Sequence, residues 1–556
     1  NLHGVAWEFV GNRILNAGSF ALNAAGQPRP QSNVNIFGFE VDGPVYLPKA
    51  YDGRNKLFFM FSWEGWRGRS VDVPRYTIPS NAQRAGDFTG LLAGTGQMIT
   101  IYDPMTTTSD GRGGYVRTPF TGNKLPANRI NPISSKVISY YPQPTWAGEG
   151  LGQVNNYTKA TPNIWGINQV ASRMDYQVNS ANRVHFRYSN TPFKEVRSIV
   201  WGTNEAEPSG NAPLTRNGVN WSLDWTSTLT PTAVVNLRFG LTRWEDHYSN
   251  YFGKGFNPTQ LGFPQSLVSQ FKEYQFPYFT FGNNYSPIGS SRPANWEKDY
   301  AYSLQPNLNL VRGSHVVKIG TEFKRFEKPR VPWGLIDGVY TFSTGYTQAN
   351  PLRADALSGN DIASFLLGYP AGGYVDDNMH PHYKNYYYAA YFHDDWKVNS
   401  RLTLNLGFRW DYEAPLAERY NRMVRGFDFD MASPIASKVQ GLTLKGGLLY
   451  AGTSGNARQA FNRDYKHPQP RVGFAYKINN KTVMRGGYGV FFLGQYEEGA
   501  GTGFSQQTPL VSSIDGGLTP AVTISNPFPN GLLKPIGNTQ GAATNLGLGI
   551  GAQYLD

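Results

Sequence analysis

Residues 401–412 read RLTLNLGFRWDY. Taken alternately, one set is Leu402, Leu404, Leu406, Phe408, Trp410 and Tyr412, and the other is Arg401, Thr403, Asn405, Gly407, Arg409 and Asp411. Successive side chains of a strand point to opposite faces, so this period of two predicts a strand with one apolar and one wet face. The preceding NYYYAAYFHDDWKV, residues 385–398, alternates likewise: Tyr386, Tyr388, Ala390, Phe392, Trp396 and Val398 oppose Tyr387, Tyr391, His393, Asp395 and Lys397. A tight turn at Asn399 and Ser400 joins the two into a hairpin.

The unit recurs. In SRMDYQV-NSAN-RVHFRYS, residues 172–189, Met174, Tyr176, Val178, Val184, Phe186 and Tyr188 oppose Arg173, Asp175, Gln177, Arg183, His185 and Arg187. Residues 219–243, 308–325 and 471–492 repeat it. These strands run to about ten residues or more, enough to cross a bilayer at a tilt. Short turns of Asn, Ser, Gly, Thr or Pro alternate with long Gly-, Pro- and Asn-rich stretches at 66–165, 191–216, 244–300 and 414–469. That asymmetry belongs to an antiparallel transmembrane β-barrel with long extracellular loops. Only a closed sheet pairs every backbone group that faces hydrocarbon. Trp7, Trp63, Trp225, Trp244, Trp396 and Trp410, near strand ends, are expected at the membrane interfaces. The rival fold is a large soluble β protein whose rings fill its core.

Composition agrees. The 556 residues carry 51 Lys+Arg and 39 Asp+Glu, only 16% charged, yet mean hydropathy is −0.44, so polarity comes mainly from uncharged residues. Coiled coils and helical membrane bundles are disfavoured. Aromatics at 14% rule out disorder. The absence of cysteine excludes disulfides, thiolate zinc sites and cysteine nucleophiles. The net charge of +12 is scattered rather than striped, so nucleic acid is not an expected partner. The opening NLHGVAWEFV lacks signal-peptide features, which leaves a cytosolic protein or a chain whose ends lie elsewhere.

Several stretches resemble the TonB-dependent outer-membrane receptors, and within them the Oar-like group common in Acidobacteria, which carries an N-terminal carboxypeptidase-regulatory-like domain. Residues 1–20, NLHGVAWEFVGNRILNAGSF, resemble the first barrel strand after the plug; 35–46 and 56–67 resemble the next hairpin. TIPSNAQRAGDFTG (77–90), IYDP (101–104) and 119–144 resemble a long loop of this group, and 391–415 with ERYNR (418–422) a hairpin and its following loop. The resemblance spans nearly the whole chain. It implies a large barrel of the 22-stranded type, here incomplete: roughly fourteen strands are legible by pattern. Nothing resembles the plug, the TonB box or the regulatory domain, and GAQYLD at the end is no terminal aromatic strand. Residues 1–556 are therefore expected to form a partial barrel, with 66–165 a long extracellular loop region within it. Such an open fragment is not expected to transport on its own.

Arg173, Arg183, Arg187, Arg238, Lys318, Lys324, Arg409 and Arg485 share the wet parity and are expected to line the lumen. They either attract anionic groups of a ligand or anchor a mobile plug through charge-assisted hydrogen bonds, or make fixed contacts to plug carboxylates. For ligand capture at loops, the candidates are Tyr274, Phe276, Tyr278, Phe279, Phe281 and Tyr285, with Tyr140 and Tyr141; packing of a compact loop cap is the alternative use of these rings. In DDNMHPH, Asp376, Asp377, His380 and His382 offer metal-ligand types, but the spacing matches no zinc pattern and Pro381 restricts the backbone, so a solvated loop is expected and no metal. Alternation separates His393 from Asp394. GRGG at 111 and GAGTG at 499 lack a phosphate-loop context, and GxSxG and HExxH are absent. No enzyme and no cofactor is expected.

The resemblance implies an outer-membrane receptor that captures a nutrient (glycan, peptide or siderophore-like) and imports it by energy coupling. Its partners would be outer-membrane lipid, the TonB complex through the missing plug, and an extracellular ligand. The alternatives are a surface protein for adhesion or export, and a soluble β-rich carbohydrate-binding protein.

Overall fold

Asn179, Asn399 and Asn479 close three hairpins with one device: each side-chain oxygen accepts the backbone N–H two residues on, at 2.8–3.0 Å, and the first two also accept the N–H three residues on, at 2.9 Å. This Asx turn is why Asn recurs there. The computed structural model describes residues 1–18, 20–24, 31–197, 199–202, 205–208, 214–248, 253–282, 285–289, 295–332, 334–433, 436–494 and 499–539; the terminal GAQYLD lies outside them.

In chain order the strands of the two largest sheets are β1 (His3–Asn12), β2 (Gln31–Pro44), β3 (Leu57–Asp72), β4 (Thr161–Gln177), β5 (Asn182–Val196), β6 (Leu214–Thr230), β7 (Ala233–Tyr248), β8 (Tyr278–Phe281), β9 (Asn295–Arg312), β10 (His315–Val331), β11 (Val339–Phe342), β12 (Gly372–Asp377), β13 (His382–Lys397), β14 (Leu402–Glu413), β15 (Pro468–Asn479), β16 (Thr482–Gly489) and β17 (Gln506–Pro509). Thirteen of them, β1–β7, β9, β10 and β13–β16, form one antiparallel wall in sequence order, and Ala417–Glu418 pairs with β13 as a fourteenth strand off that path. Among the described residues, β1 and β16 are its two edges.

The register aligns residues of like polarity across the wall. One lateral row is Met174, Phe186, Leu223, Phe239, Leu304, Phe323, Tyr388 and Tyr412, each paired with the next. Met174, Leu223 and Phe323 on this row are 42–45% exposed. A soluble sheet would bury such a face; here it stays open, the arrangement of a wall whose outer solvent is apolar.

Trp63, Trp225, Trp396 and Trp410 share the apolar parity, as expected, but Trp7 and Trp244 do not. Trp7 opposes Gly38 on the polar face and its indole N–H donates to Glu64 at 3.1 Å. A Gly opposite leaves room for the ring, and the carboxylate satisfies its one donor.

The strands also run further than alternation suggested. The stretch expected as loop 66–165 is bounded by Asp72 and Thr161, and β5, β6, β7 and β9 run into the other expected loops. Backbone pairing continues past the segments that alternate.

Beyond the long-loop end the connections fold into a cap. Its sheet has the order β8-β11-β12-β17, with β8 and β11 parallel. Phe279, Tyr340, Phe342 and Phe365 are fully buried around it, and the rings of Phe342 and Phe365 meet edge-on at 4.9 Å. The helix Asp361–Leu366 supplies Phe365; Asn360 caps it by accepting from the Ile362 and Ala363 amides. Residues 77–141 contribute Ile78, Phe88, Ile101 and Val137 to the same core. The expected loop region is thus folded structure, and the connection carrying β11 and β12 is part of it.

Candidate functional site

The wet face of the wall is the larger candidate site. All eight cations predicted to share a face do so by register: Arg173 opposes Arg187, Arg409 lies two rows from the row of Lys324, and Arg485 opposes Ala475 on the same parity. What sequence reasoning missed is the belt of carboxylates that holds five of them. Asp175 binds Arg173 and Arg183, both at 2.6 Å. Asp224, nearly buried, binds Arg238 at 2.7 Å. Glu322 binds Lys324 at 2.7 Å and Arg409 at 3.0 Å, and accepts from Gln305 at 2.9 Å. Arg173 with Asp175 and Lys324 with Glu322 stand two residues apart on one strand, but Asp175 with Arg183, Asp224 with Arg238 and Glu322 with Arg409 meet through register between strands, which a single strand does not reveal.

Arg187, Lys318 and Arg485 are different. All three are exposed on the wet face, and none forms an ion pair among the described residues; Lys318 lies in the field of Asp395 without touching it. Their charges are uncompensated at contact distance on the wet face of the wall. The earlier alternative of fixed partners on another segment is not needed for the other five, whose partners are in the wall itself.

The loop aromatics sit in the cap. Phe276, Phe279, Phe281 and Tyr141 are buried and touch one another or their neighbours face to edge, so they offer no surface to a ligand. Tyr140, Tyr274, Tyr278 and Tyr285 remain half-buried at the margin of this core. Tyr285 accepts from Gln83 at 2.8 Å and Asn360 at 3.1 Å, and burial pushes its phenol up to about 12. Burial also raises the Tyr141 phenol, which donates to the Ser286 carbonyl. Arg117 ties the cap together from within: it donates to the Gly345 and Leu518 carbonyls, each at 2.7 Å, and burial lowers it to about 10.

The four residues of the DDNMHPH stretch are dispersed. Asp376 accepts from the Leu335 amide at 2.8 Å and from Gln507 at 3.0 Å, Asp377 pairs with Lys272, and His382 starts a wall strand beside Glu327 at 3.8 Å. Burial lowers His380 below its ordinary value. Among the described residues no three metal-ligating side chains converge. His393 meets Asp395 at 3.0 Å on the wet face, while Asp394, on the other face, takes His315 at 2.7 Å.

The ERYNR run is built around Glu418. Its carboxylate, with no exposed surface, accepts the amides of Tyr420 (2.7 Å), Arg422 (2.9 Å) and His382 (3.2 Å), and pairs with the Arg422 guanidinium at 3.2 Å. Asn421 takes a positive φ of 60° to close this turn.

A family model described as an outer membrane beta barrel domain matches residues 1–556. Among solved structures, the chain is similar to the outer membrane transporter YddB from Escherichia coli, at 10% identity and a TM-score of 0.38 over 83% of this chain and 46% of that one. It is similar to the siderophore receptor PiuA from Acinetobacter baumannii, at 9% identity and a TM-score of 0.34 over 86% of this chain and 47% of that one. A mutant of the ferric enterobactin receptor PfeA from Pseudomonas aeruginosa gives 10% identity and a TM-score of 0.35 over 87% of this chain and 52% of that one. The chain spans about half the length of these structures. No curated protein matches it.

Proposed function

The chain belongs to the outer membrane beta-barrel family, and from that premise we propose that it is the barrel portion of a TonB-dependent receptor of the Oar-like kind, which takes up a nutrient by energy-coupled transport. The observation that carries this reading is the division of the wet-face cations. Five are locked into the wall by its own carboxylates, while Arg187, Lys318 and Arg485 stand free to meet an anionic ligand or the carboxylates of a plug. The long connections form a packed cap at one end, with Tyr140, Tyr274 and Tyr278 at its margin as the rings accessible for capture. No covalent chemistry is required: the loops capture, the polar wall guides, and a plug supplied by the rest of the protein excludes solvent. Glycans, peptides and siderophore-like molecules all fit a polar wall with aromatic loops.

The test uses the intact gene product in cells with and without a functional TonB complex. Energy-dependent uptake that disappears without TonB, and that changes when Arg187, Lys318 and Arg485 are replaced by Gln while the heat-modifiable barrel band persists on gels, supports the proposal. Uptake indifferent to TonB overturns it in favour of adhesion or export.

A further inference from the structure

On the apolar face, where the wall meets the long loops, lies a cavity of about 930 Å³. Its floor is aromatic: Phe323, Tyr386, Tyr388, Trp410 and Tyr412 all carry the parity of the lipid-facing row. Its roof is the loop after β14. There Tyr465 stacks on Tyr412 at 4.5 Å, and the Trp410 indole N–H donates to the Tyr465 carbonyl at 2.9 Å. These contacts make it a built cavity.

The rim is cationic. Arg419, Arg458 and Arg463 line it, and among the described residues none forms an ion pair. Arg458 is aimed by neutral groups, donating to the Asn421 side chain at 2.7 Å and to the Arg419 carbonyl at 3.0 Å. Arg463 is held by the Tyr465 phenol. The one acid in the lining, Glu418, is spent on backbone amides and Arg422 and has no exposed surface. Three guanidiniums above an apolar, ring-lined floor match a phosphate with hydrocarbon beneath it: Arg forks suit phosphate oxygens, and the rings suit acyl chains at the level where apolar gives way to charged.

We propose that this cavity binds a phosphate-bearing acylated lipid of the outer leaflet, headgroup among Arg419, Arg458 and Arg463 and chains along Phe323 and Tyr388. The site faces away from the lumen, so it is separate from the transport path. The proposal rests on the outer-membrane reading of the wall but not on TonB coupling.

The test titrates the full chain, in non-ionic detergent, with dihexanoyl phosphatidic acid and follows retention by native mass spectrometry. The expected result is one lipid retained per chain, an affinity reduced about tenfold in the Arg419→Gln/Arg458→Gln/Arg463→Gln variant, and a smaller loss in Arg463→Gln alone, an exposed substitution that leaves folding intact. Excess inorganic phosphate should fail to displace the lipid. Unchanged affinity in both variants, or equal competition by inorganic phosphate, overturns the proposal. The gel shift on heating, run on the same samples, reports separately whether the barrel itself has formed.

Discussion

The guanidinium of Arg409 reaches Glu322 at 3.0 Å across an entire intervening strand. Between them, in register with both acid-bearing positions, stands Ala389 of β13, opposite Asp411. Only a methyl group there lets β14 touch β10 over the top of β13. Arg409 also binds Asp411 at 2.7 Å and donates to the Tyr387 hydroxyl at 2.8 Å, so one side chain joins three strands.

Arg409→Ala is therefore expected to cost the wall about 1–3 kcal/mol, because Glu322 keeps Lys324 while Asp411 and Tyr387 lose a charged partner. Ala389→Leu should cost a similar amount with all charges retained, by filling the gap the strut crosses. Urea unfolding in lipid vesicles measures both. A neutral Ala389→Leu would mean that the strut does not contribute.

Phe365 has no exposed surface and meets Phe279, Phe281 and Phe342. Phe365→Ala should cost the cap about 3–5 kcal/mol. Because the wall lies outside this cluster, limited proteolysis should cut the long loops far faster while the heat-modifiable band is unchanged.

Asp337 is buried in the cap with no well-formed hydrogen bond to either oxygen, near the Tyr340 ring; the Gln275 backbone N–H offsets the burial only in part. Burial raises its carboxyl well above the ordinary 3.8. A raised native pKa favours folding while the group is protonated, so its stabilisation is complete below 3.8 and is lost as pH rises through the native value. Hydrogen exchange of the β8 and β11 amides, corrected for intrinsic rate, should show the cap loosening in that direction. Asp337→Asn should abolish the dependence and stabilise the cap at pH 7 by about 1–3 kcal/mol.

Glu418 has the opposite sign. Burial alone would raise it, but the amides of Arg422, His382 and Tyr420 and the Arg422 guanidinium outweigh that and hold it below 4.5. Its stabilisation is present above 4.5 and is lost as pH falls through the lowered native value. Glu418→Gln should reproduce at neutral pH the loosening that acid causes in the wild type, read as faster exchange at residues 420–423.

The wall was legible because its period of two survives in most long strands, and with it the parity of all eight cations; β1 breaks it, with Glu8 on the apolar parity and Val5, Trp7 and Phe9 on the polar one. The cross-strand partners were not, because Asp224 meets Arg238 and Glu322 meets Arg409 only through register. Trp7 and Trp244 were misassigned for a related reason: nearness to a strand end says nothing of parity. The cap was hidden because β8, β11 and β17 have four residues each, too short to show a period, and β11 and β12 lie in a connection with no apolar run. Rings that stack on one another there read in sequence just as rings awaiting a ligand do. The arginines of the outer cavity come from a loop whose fold is set by Glu418, a contact that spacing alone does not announce.

The cap sheet has a further consequence, for the order in which the molecule is assembled. Phe279 pairs with Tyr340 in parallel, with the whole β9–β10 hairpin between them, and Tyr374 pairs with Pro509 across four further wall strands. The free chain would have to close these long loops at a large entropic cost, and four-residue strands return little for it. Once neighbouring wall hairpins have zipped, the loop bases stand side by side and most of that cost is already met. The cap must therefore form last. A wall strand paired two residues out of place would shift a loop base by about 7 Å, so closure of the cap acts as a proofreading step on the registry of the barrel beneath it.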